Sequence, residues 1–569
     1  MKKMDKIREV ISIGLAVCFY IMFILFAWYV SYRMALEFYT GENVGMPENP
    51  KIIPDEVLEP TMHFVVQTIL WITAYAFAFG NSRVSRRSEP LLERKISGKD
   101  QVKAVLWPKR SHLWAIPWWL QLVILVGVSW YIRMDVIDLI GRDTVQIVDF
   151  DRVFRMSLLD GSIVAEVQGI NFYRAFPNWA LYVKLIHCLN VHFGAVPLTG
   201  IMWNVIASCA SVGMVYLIVY LTSGRDVLAI ISALLFSVNP FYLYYEILLS
   251  PDFTFIFLCL AALLVMAVAW KLTSSLWVRI PAVAVVGATL ALSSFFKSVD
   301  KILIIALLIV MALRWIARGR ITKRGLARGI AAAAVFVVAY SGTMTYSYNY
   351  IDDYVSGNSN RDVSPYFLNV GLNVEHGGQW SQETLDLYLD LIREYDYDFD
   401  MVNAKMKEHL SDVIEEQNRQ VMSGENPELW RDFIEHKLRK AWGNNEGLRF
   451  VMNTIGAENP LAGRTFYDEY LPIVQAFTVA TGLLMALGGV TALVCRERGA
   501  VMVAALMVFG FALLLLLSEV QPRYKTVVYP FMAVVSAYGI YCLIRPVQLA
   551  LAAGWNRICG KKKQTKDPQ

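Results

Sequence analysis

Charge is what this chain has least of. Of its 569 residues only 18% are Asp, Glu, Lys or Arg, while 56% are hydrophobic, and the mean hydropathy is +0.43. Soluble globular chains carry nearer a quarter of charged residues, so that class is excluded and a membrane protein is indicated. Cysteine is also scarce. The seven include no CxxC pair, and Cys18, Cys209, Cys259, Cys495 and Cys542 lie inside apolar runs. Neither a disulfide framework nor a zinc site is expected. Haem, nucleotide and nucleic-acid motifs are missing too, so no cofactor and no nucleic-acid partner is expected. A cleavable leader is not expected: the run 11–30 is too long, and no small-residue cleavage site follows it.

What is present is a series of long apolar runs. Twelve fit helices that cross about 30 Å of hydrocarbon: 10–30, 62–80, 114–132, 198–221, 226–244, 252–271, 279–296, 301–315, 329–346, 469–494, 499–518 and 526–545. Basic residues fall on one side of this count, in 83–110 (from Arg83 to Arg110), in 314–328 (from Arg314 to Arg328) and in the tail Lys561 to Lys563. By the positive-inside rule that side is the cytoplasm, and the other basic-loop role, attraction to anionic lipid, needs no further partner. The expectation is an all-α polytopic membrane protein of about twelve spans, with both termini cytoplasmic and two large extracytoplasmic loops, 133–197 and 347–468. The chain divides into an extension over 1–113, a core over 114–346, the loop domain 347–468, C-terminal spans over 469–545 and a basic tail over 546–569.

Loops this long are more than connectors. The second carries helical patterning at 382–420 and 427–442, and the first an amphipathic segment at 179–193 suited to a membrane interface. The candidate chemistry sits at the same face. In "DFDRVFRMSLLDG" Asp149 and Asp151 stand at a helix start, with an apolar face through Val153, Met156 and Leu159 and a closing Gly161. A helix cap is the plain reading of Asp149; a general base is the sharper one. Asp143 and Asp151 compete for that role. Asp252, after "LYYEILLSP", also suits a helix N-terminus, with Glu246 close by. Lys297 lies in a short link where a cation is disfavoured; it snorkels or binds a lipid phosphate, and Asp300 and Lys301 share or quench that role. Glu519, Gln521, Arg523 and Tyr524 lie where the penultimate span ends, and Arg523 suits bidentate phosphate binding. His376 is the lone His of the segment 364–380, so no metal is assigned.

These positions resemble the GT-C glycosyltransferases. More closely they are similar to the bacterial relatives of protein O-mannosyltransferases and of the lipid A aminoarabinose transferase, the family 39-like group, in its Gram-positive branch. The first-loop pattern matches Asp149, Val153, Met156, Leu159 and Gly161, followed by Phe176-Pro177-Asn178-Trp179 and His192-Phe193-Gly194. Asp252 stands for the second acid and Lys297 for the basic residue after it. The segment Pro365 to Gly378, the pair Lys437 and Trp442, and the mouth Glu519 to Tyr524 complete the likeness over about 114–545. The acids of the first loop are often adjacent in the family and here are separated by Phe150. The resemblance implies a bacterial cell-membrane enzyme that moves a sugar from a polyprenyl-phosphate donor to an envelope glycan, glycolipid or protein. Its active site faces outward, and Asp149 acts as base. Donor phosphate would meet Lys297, Arg523 and Tyr524, and the acceptor Asp252, Glu246 or Glu519. Residues 1–113 lie outside the usual core and either offer a surface to a membrane partner or are a lineage addition. The rival class is a multispan transporter or flippase of a lipid-linked precursor, which would place charge or broken helices near mid-membrane.

Overall fold

The computed structural model describes residues 2–40, 117–142, 145–159, 166–272, 275–318, 323–443, 447–495, 497, 499–541 and 543. The apolar runs are helices. Among the described residues seven are long and apolar enough to cross a membrane: Ile7–Tyr32, Pro197–Ser223, Asp252–Lys271, Leu276–Ser294, Gly325–Tyr354, Pro460–Val494 and Ala500–Leu517. They correspond to seven of the twelve expected spans. The expected span 62–80 lies outside the described residues.

Two spans depart from expectation for identifiable reasons. The run 226–244 is not one helix: Asp226–Ser237 ends, and Asn239 caps a new short helix, Pro240–Tyr245, by accepting from the Tyr242 N–H at 3.0 Å. Pro240 has no N–H to continue the first helix and fits the first turn of the second. The run 114–132 extends instead to Ile140, as the helix Trp118–Ile140. Arg133 was expected to open a solvated loop, yet it is only 1% exposed. A buried partner, described below, makes that burial tolerable.

The first helix, Lys2–Thr40, belongs to the bundle. Tyr20 and Phe23 are fully buried. Ser12 Oγ donates to Leu313 O at 2.9 Å and Ser31 Oγ to Val479 O at 3.0 Å, which ties this helix to two others. Phe26 meets Trp442 edge-on at 5.3 Å. The chain itself covers one face of this helix; Val10, Leu15 and Leu25, on the rest of it, are exposed.

The second loop folds as a small helical domain with its own core. Gln382–Glu394 and Phe399–Ser423 are separate helices, because Asp396 and Tyr397 take positive φ values of 45° and 63° and Asp398 caps the second. Tyr388, Leu389, Val402 and Met406 pack with Ile170 and Phe176 of the first loop, so the two large loops form one layer. The only strands among the described residues are a two-residue antiparallel pair, Glu166–Val167 with Ile170–Asn171. Gln168 and Gly169 turn it with φ values of 52° and 78°, as a two-residue hairpin needs. Two spanning helices are long: Lys323–Tyr354 has 32 residues and Pro460–Val494 has 35.

Candidate functional site

The site begins with a stretch that has no regular structure of its own. Residues 246–251, between Pro240–Tyr245 and the helix Asp252–Leu272, are buried. Buried backbone groups must find partners, and here side chains from distant helices supply them. Asn204 Nδ2 donates to Glu246 O at 3.0 Å and Leu248 O at 2.8 Å. Gln146 Nε2 donates to Ile247 O at 3.0 Å, and the Leu249 N–H donates to Gln146 Oε1 at 3.0 Å. Arg133 Nε donates to Glu246 Oε1 at 2.9 Å, with both side chains within 2% of full burial. Burial pushes the Glu246 carboxyl up to about 7, against the opposing pull of Arg133. Glu246 is thus not an acceptor-facing acid. It locks the segment that delivers Asp252.

Gln146 also sits just before the helix Val148–Ser157, so one side chain fixes both acid-bearing segments. Phe150 is buried, edge-on to Tyr245 at 6.2 Å and Phe450 at 6.1 Å. At the other end Asn190 Nδ2 donates to Ser157 Oγ at 2.8 Å. Asp149 does not cap this helix. The cap position is Ile147, with no side-chain bond, and the C-cap is Leu158; Gly161 and Asp143 lie outside the described residues. Val148, β-branched, holds φ at 49°, a strained conformation of the kind that persists where surroundings over-determine it.

Freed from capping, Asp149 faces a cation cluster. Its side chain is 32% exposed, with Oδ1 at 3.4 Å from Arg152 and Oδ2 at 3.7 Å from Arg523 Nη2. The Arg523 guanidinium lies over the Phe450 ring at 4.5 Å. Lys297 Nζ is 2.7 Å from Asp252 Oδ1 and 4.5 Å from the Tyr524 ring centre. Tyr524 Oη donates to Glu519 Oε2 at 2.9 Å, and Gln521 Nε2 donates to the other Glu519 oxygen. Burial raises the Glu519 pKa, against the hydrogen bond from Tyr524. The structure therefore gathers Asp149, Asp252, Lys297, Glu519, Arg523 and Tyr524. It sets Asp151 aside, paired with Arg155 at 2.7 Å. Lys301 is exposed, and Asp300 accepts from Tyr340 Oη at 2.8 Å, so neither joins Lys297. Among the described residues no group of three His, Cys, Asp or Glu side chains is placed to hold a metal ion.

Sequence reasoning missed Arg133, Gln146 and Asn204. Arg133 carried a usable signal, a charge at the edge of an apolar run; the two amides carried none. Lys437 was named only for its spacing to Trp442, and its work is structural. Its ammonium donates to Gly371 O at 2.5 Å, Leu516 O at 3.0 Å and Ser518 O at 2.8 Å. This clasps the loop domain to the end of the helix Ala500–Leu517, next to Glu519. Burial pulls the Lys437 pKa down, to about 7. A Cβ on Gly371 would come within 2.3 Å of Leu517 O, so only glycine fits this joint. Lys437→Met should leave three buried carbonyls without their donor and destabilise the joint by about 3 kcal/mol or more. Hydrogen exchange at 516–520 should then speed up, and an unchanged pattern would remove Lys437 from this role.

No family model and no curated protein matches the sequence. Solved structures do resemble it. The archaeal oligosaccharyltransferase AglB of Archaeoglobus fulgidus, in complex with an inhibitory peptide and a dolichol-phosphate, matches 76% of this chain over 51% of its own length, at 12% identity and a TM-score of 0.38. ArnT from Cupriavidus metallidurans, bound to undecaprenyl phosphate, matches 79% of this chain over 81% of its own, at 12% identity and 0.31. An Archaeoglobus fulgidus oligosaccharyltransferase complex with Zn and sulfate matches 73% over 53%, at 14% and 0.29. The chain spans about half the length of the two oligosaccharyltransferase structures, and at these scores the likeness assigns no residue a role. By the seven long apolar helices among its described residues the chain is a helical multi-span membrane protein, and the solved structures it resembles are an oligosaccharyltransferase and ArnT.

Proposed function

We propose that the chain is an integral membrane glycosyltransferase that moves a sugar from a polyprenyl-phosphate donor to a hydroxyl of a cell-envelope acceptor at the outer face. The observation that carries this reading is the partly exposed Asp149 carboxylate set against Arg523, beside the Lys297–Asp252 pair. Asp149 takes the proton of the acceptor hydroxyl. The acceptor oxygen then forms its bond to the anomeric carbon as the bond from that carbon to the phosphate oxygen breaks. The electron pair leaves with polyprenyl phosphate, whose growing charge Lys297 and Arg523 stabilise. One base and two cations suffice for a single displacement with inversion, since phosphate leaves without being protonated. Asp252 and Glu519 orient Lys297 and Tyr524, and hold the acceptor where it meets them.

The test is incubation of the purified protein with a polyprenyl-phosphate sugar and envelope acceptor fractions. Acceptor-dependent release of polyprenyl phosphate is expected. Movement of intact donor across vesicles without release would make the chain a flippase instead. Lys297→Met should lower the release rate about 10²–10³-fold, the usual loss when one charge-stabilising group is removed. A rate near wild type would take Lys297 out of the phosphate site.

A further inference from the structure

The loop domain contains a cavity that this transfer chemistry leaves unused. It has a volume of about 460 Å³, within the range of about 300–1,000 Å³ for small-molecule sites. Its walls are the turn Val374 to Gln379 and the helix Leu429–Leu438. The turn is fixed by its own hydrogen bonds, Gly377 N–H to Val374 O at 2.9 Å and Gly378 N–H to Asn373 O at 2.9 Å. Gly377 and Gly378 hold φ at 61° and 69°. A Cβ on Gly377 would come within 2.8 Å of His436 Nε2, and one on Gly378 within 2.8 Å of Lys437 Cε. The turn is therefore pressed onto the helix, and the hollow between them is built in.

The lining chemistry selects the ligand. Polar groups come from Glu375, His376, Gln379, Asn426, Asp432 and His436, over an apolar floor that includes Phe433. Planar amides, carboxylates and imidazoles together supply donors and acceptors in the mixture that sugar hydroxyls need. No Lys or Arg lines the cavity. The nearest guanidinium in sequence, Arg431, is paired with Glu428 and Asp432. An anionic ligand would thus face two carboxylates, and the guanidinium beside them is already paired.

The cavity is also joined to the candidate site. The Val520 N–H donates to Gly378 O at 2.8 Å, and Lys437, beside His436, clasps Ser518 O. Arg523 is three residues beyond Val520, a reach of at most about 11 Å of chain, and it lies 3.7 Å from Asp149.

We infer that this cavity is a glycan subsite that takes a neutral hexose unit of the acceptor, a short distance along the chain from the hydroxyl that reacts. The inference rests on the transferase reading for the word acceptor; the binding itself does not. The test uses the full-length protein in lipid nanodiscs. Neutral tetrasaccharides of glucose, galactose, mannose and N-acetylglucosamine, with tetragalacturonate as the anionic control, are titrated by saturation-transfer NMR. At least one neutral probe should bind saturably and tetragalacturonate should bind more weakly. Gln379→Ala and Asp432→Asn, made separately with thermal melts to verify folding, should each raise the dissociation constant about tenfold or more. Absence of binding by all four neutral probes, preference for the anion, or unchanged affinity in both folded variants would overturn the inference. Saccharide binding without any polyprenyl-phosphate release would keep the subsite and sink the transferase reading; release without saccharide binding would do the reverse.

Discussion

Asp149→Asn should lower acceptor-dependent release of polyprenyl phosphate by about 10²–10⁴-fold, the usual contribution of a positioned general base. It should leave the fold almost untouched. The sequence alone left a confound here, because an Asp at a helix start is ordinarily a cap, and losing a cap costs about 1 kcal/mol. The structure removes it: Ile147 occupies the cap position, and Asp149 makes no cap bond. What remains is a one-third exposed carboxylate with two cations near it, and pairs of that exposure contribute about 0–1 kcal/mol. A thermal melt within a few degrees of wild type, next to a collapsed rate, is the expected result. Near-normal release would move the base elsewhere, first to Asp151 or Asp143.

Arg133→Met should be the most destabilising of the single changes considered, by about 3–5 kcal/mol, because it strands the buried Glu246 carboxylate. Arg133→Met combined with Glu246→Leu should recover most of that loss, since an apolar pair of similar volume is often as stable as a buried ion pair. The single variant should also be sensitive to pH. Burial already holds the Glu246 pKa above its ordinary 4.5, and loss of Arg133 raises it further. Above about pH 4.5 the unfolded chain has released a proton that the folded variant keeps. Stability therefore falls as pH rises through that window, and is least impaired in acid. Denaturation of the single and double variants at pH 5 and pH 8 checks both statements. A single variant equally stable at the two pH values, or a double variant no better than the single, would show that the pair is not what secures residues 246–251.

What the sequence disclosed was local. The apolar faces of Val148–Ser157 and Ala180–Phe193, the helix start at Asp252 and the breaks around Gly424 all follow from spacing within a few turns. The cap at Asp149 failed because one or two residues separate a cap from a first turn, and boundaries read from sequence are no sharper than that. The 226–244 run failed because its apolar pattern outvoted Asn239-Pro240, whose turn chemistry was legible. Glu246 failed for a different reason. Its partner is 113 residues away, and nothing in a one-dimensional pattern pairs a lone Arg with a lone Glu at that separation. The same holds for Gln146 and Asn204, whose amides serve backbone groups more than 40 residues away. The meeting of Asp149, Arg523, Lys297 and Asp252 became expected only through the resemblance, which supplied order along the chain and not distance.

Two of the spanning helices are longer than a bilayer needs. At 1.5 Å per residue, Lys323–Tyr354 is about 48 Å long and Pro460–Val494 about 52 Å, against about 30 Å of hydrocarbon. Each exceeds that thickness by about 20 Å. That surplus is set by residue count, not by any side chain in the site.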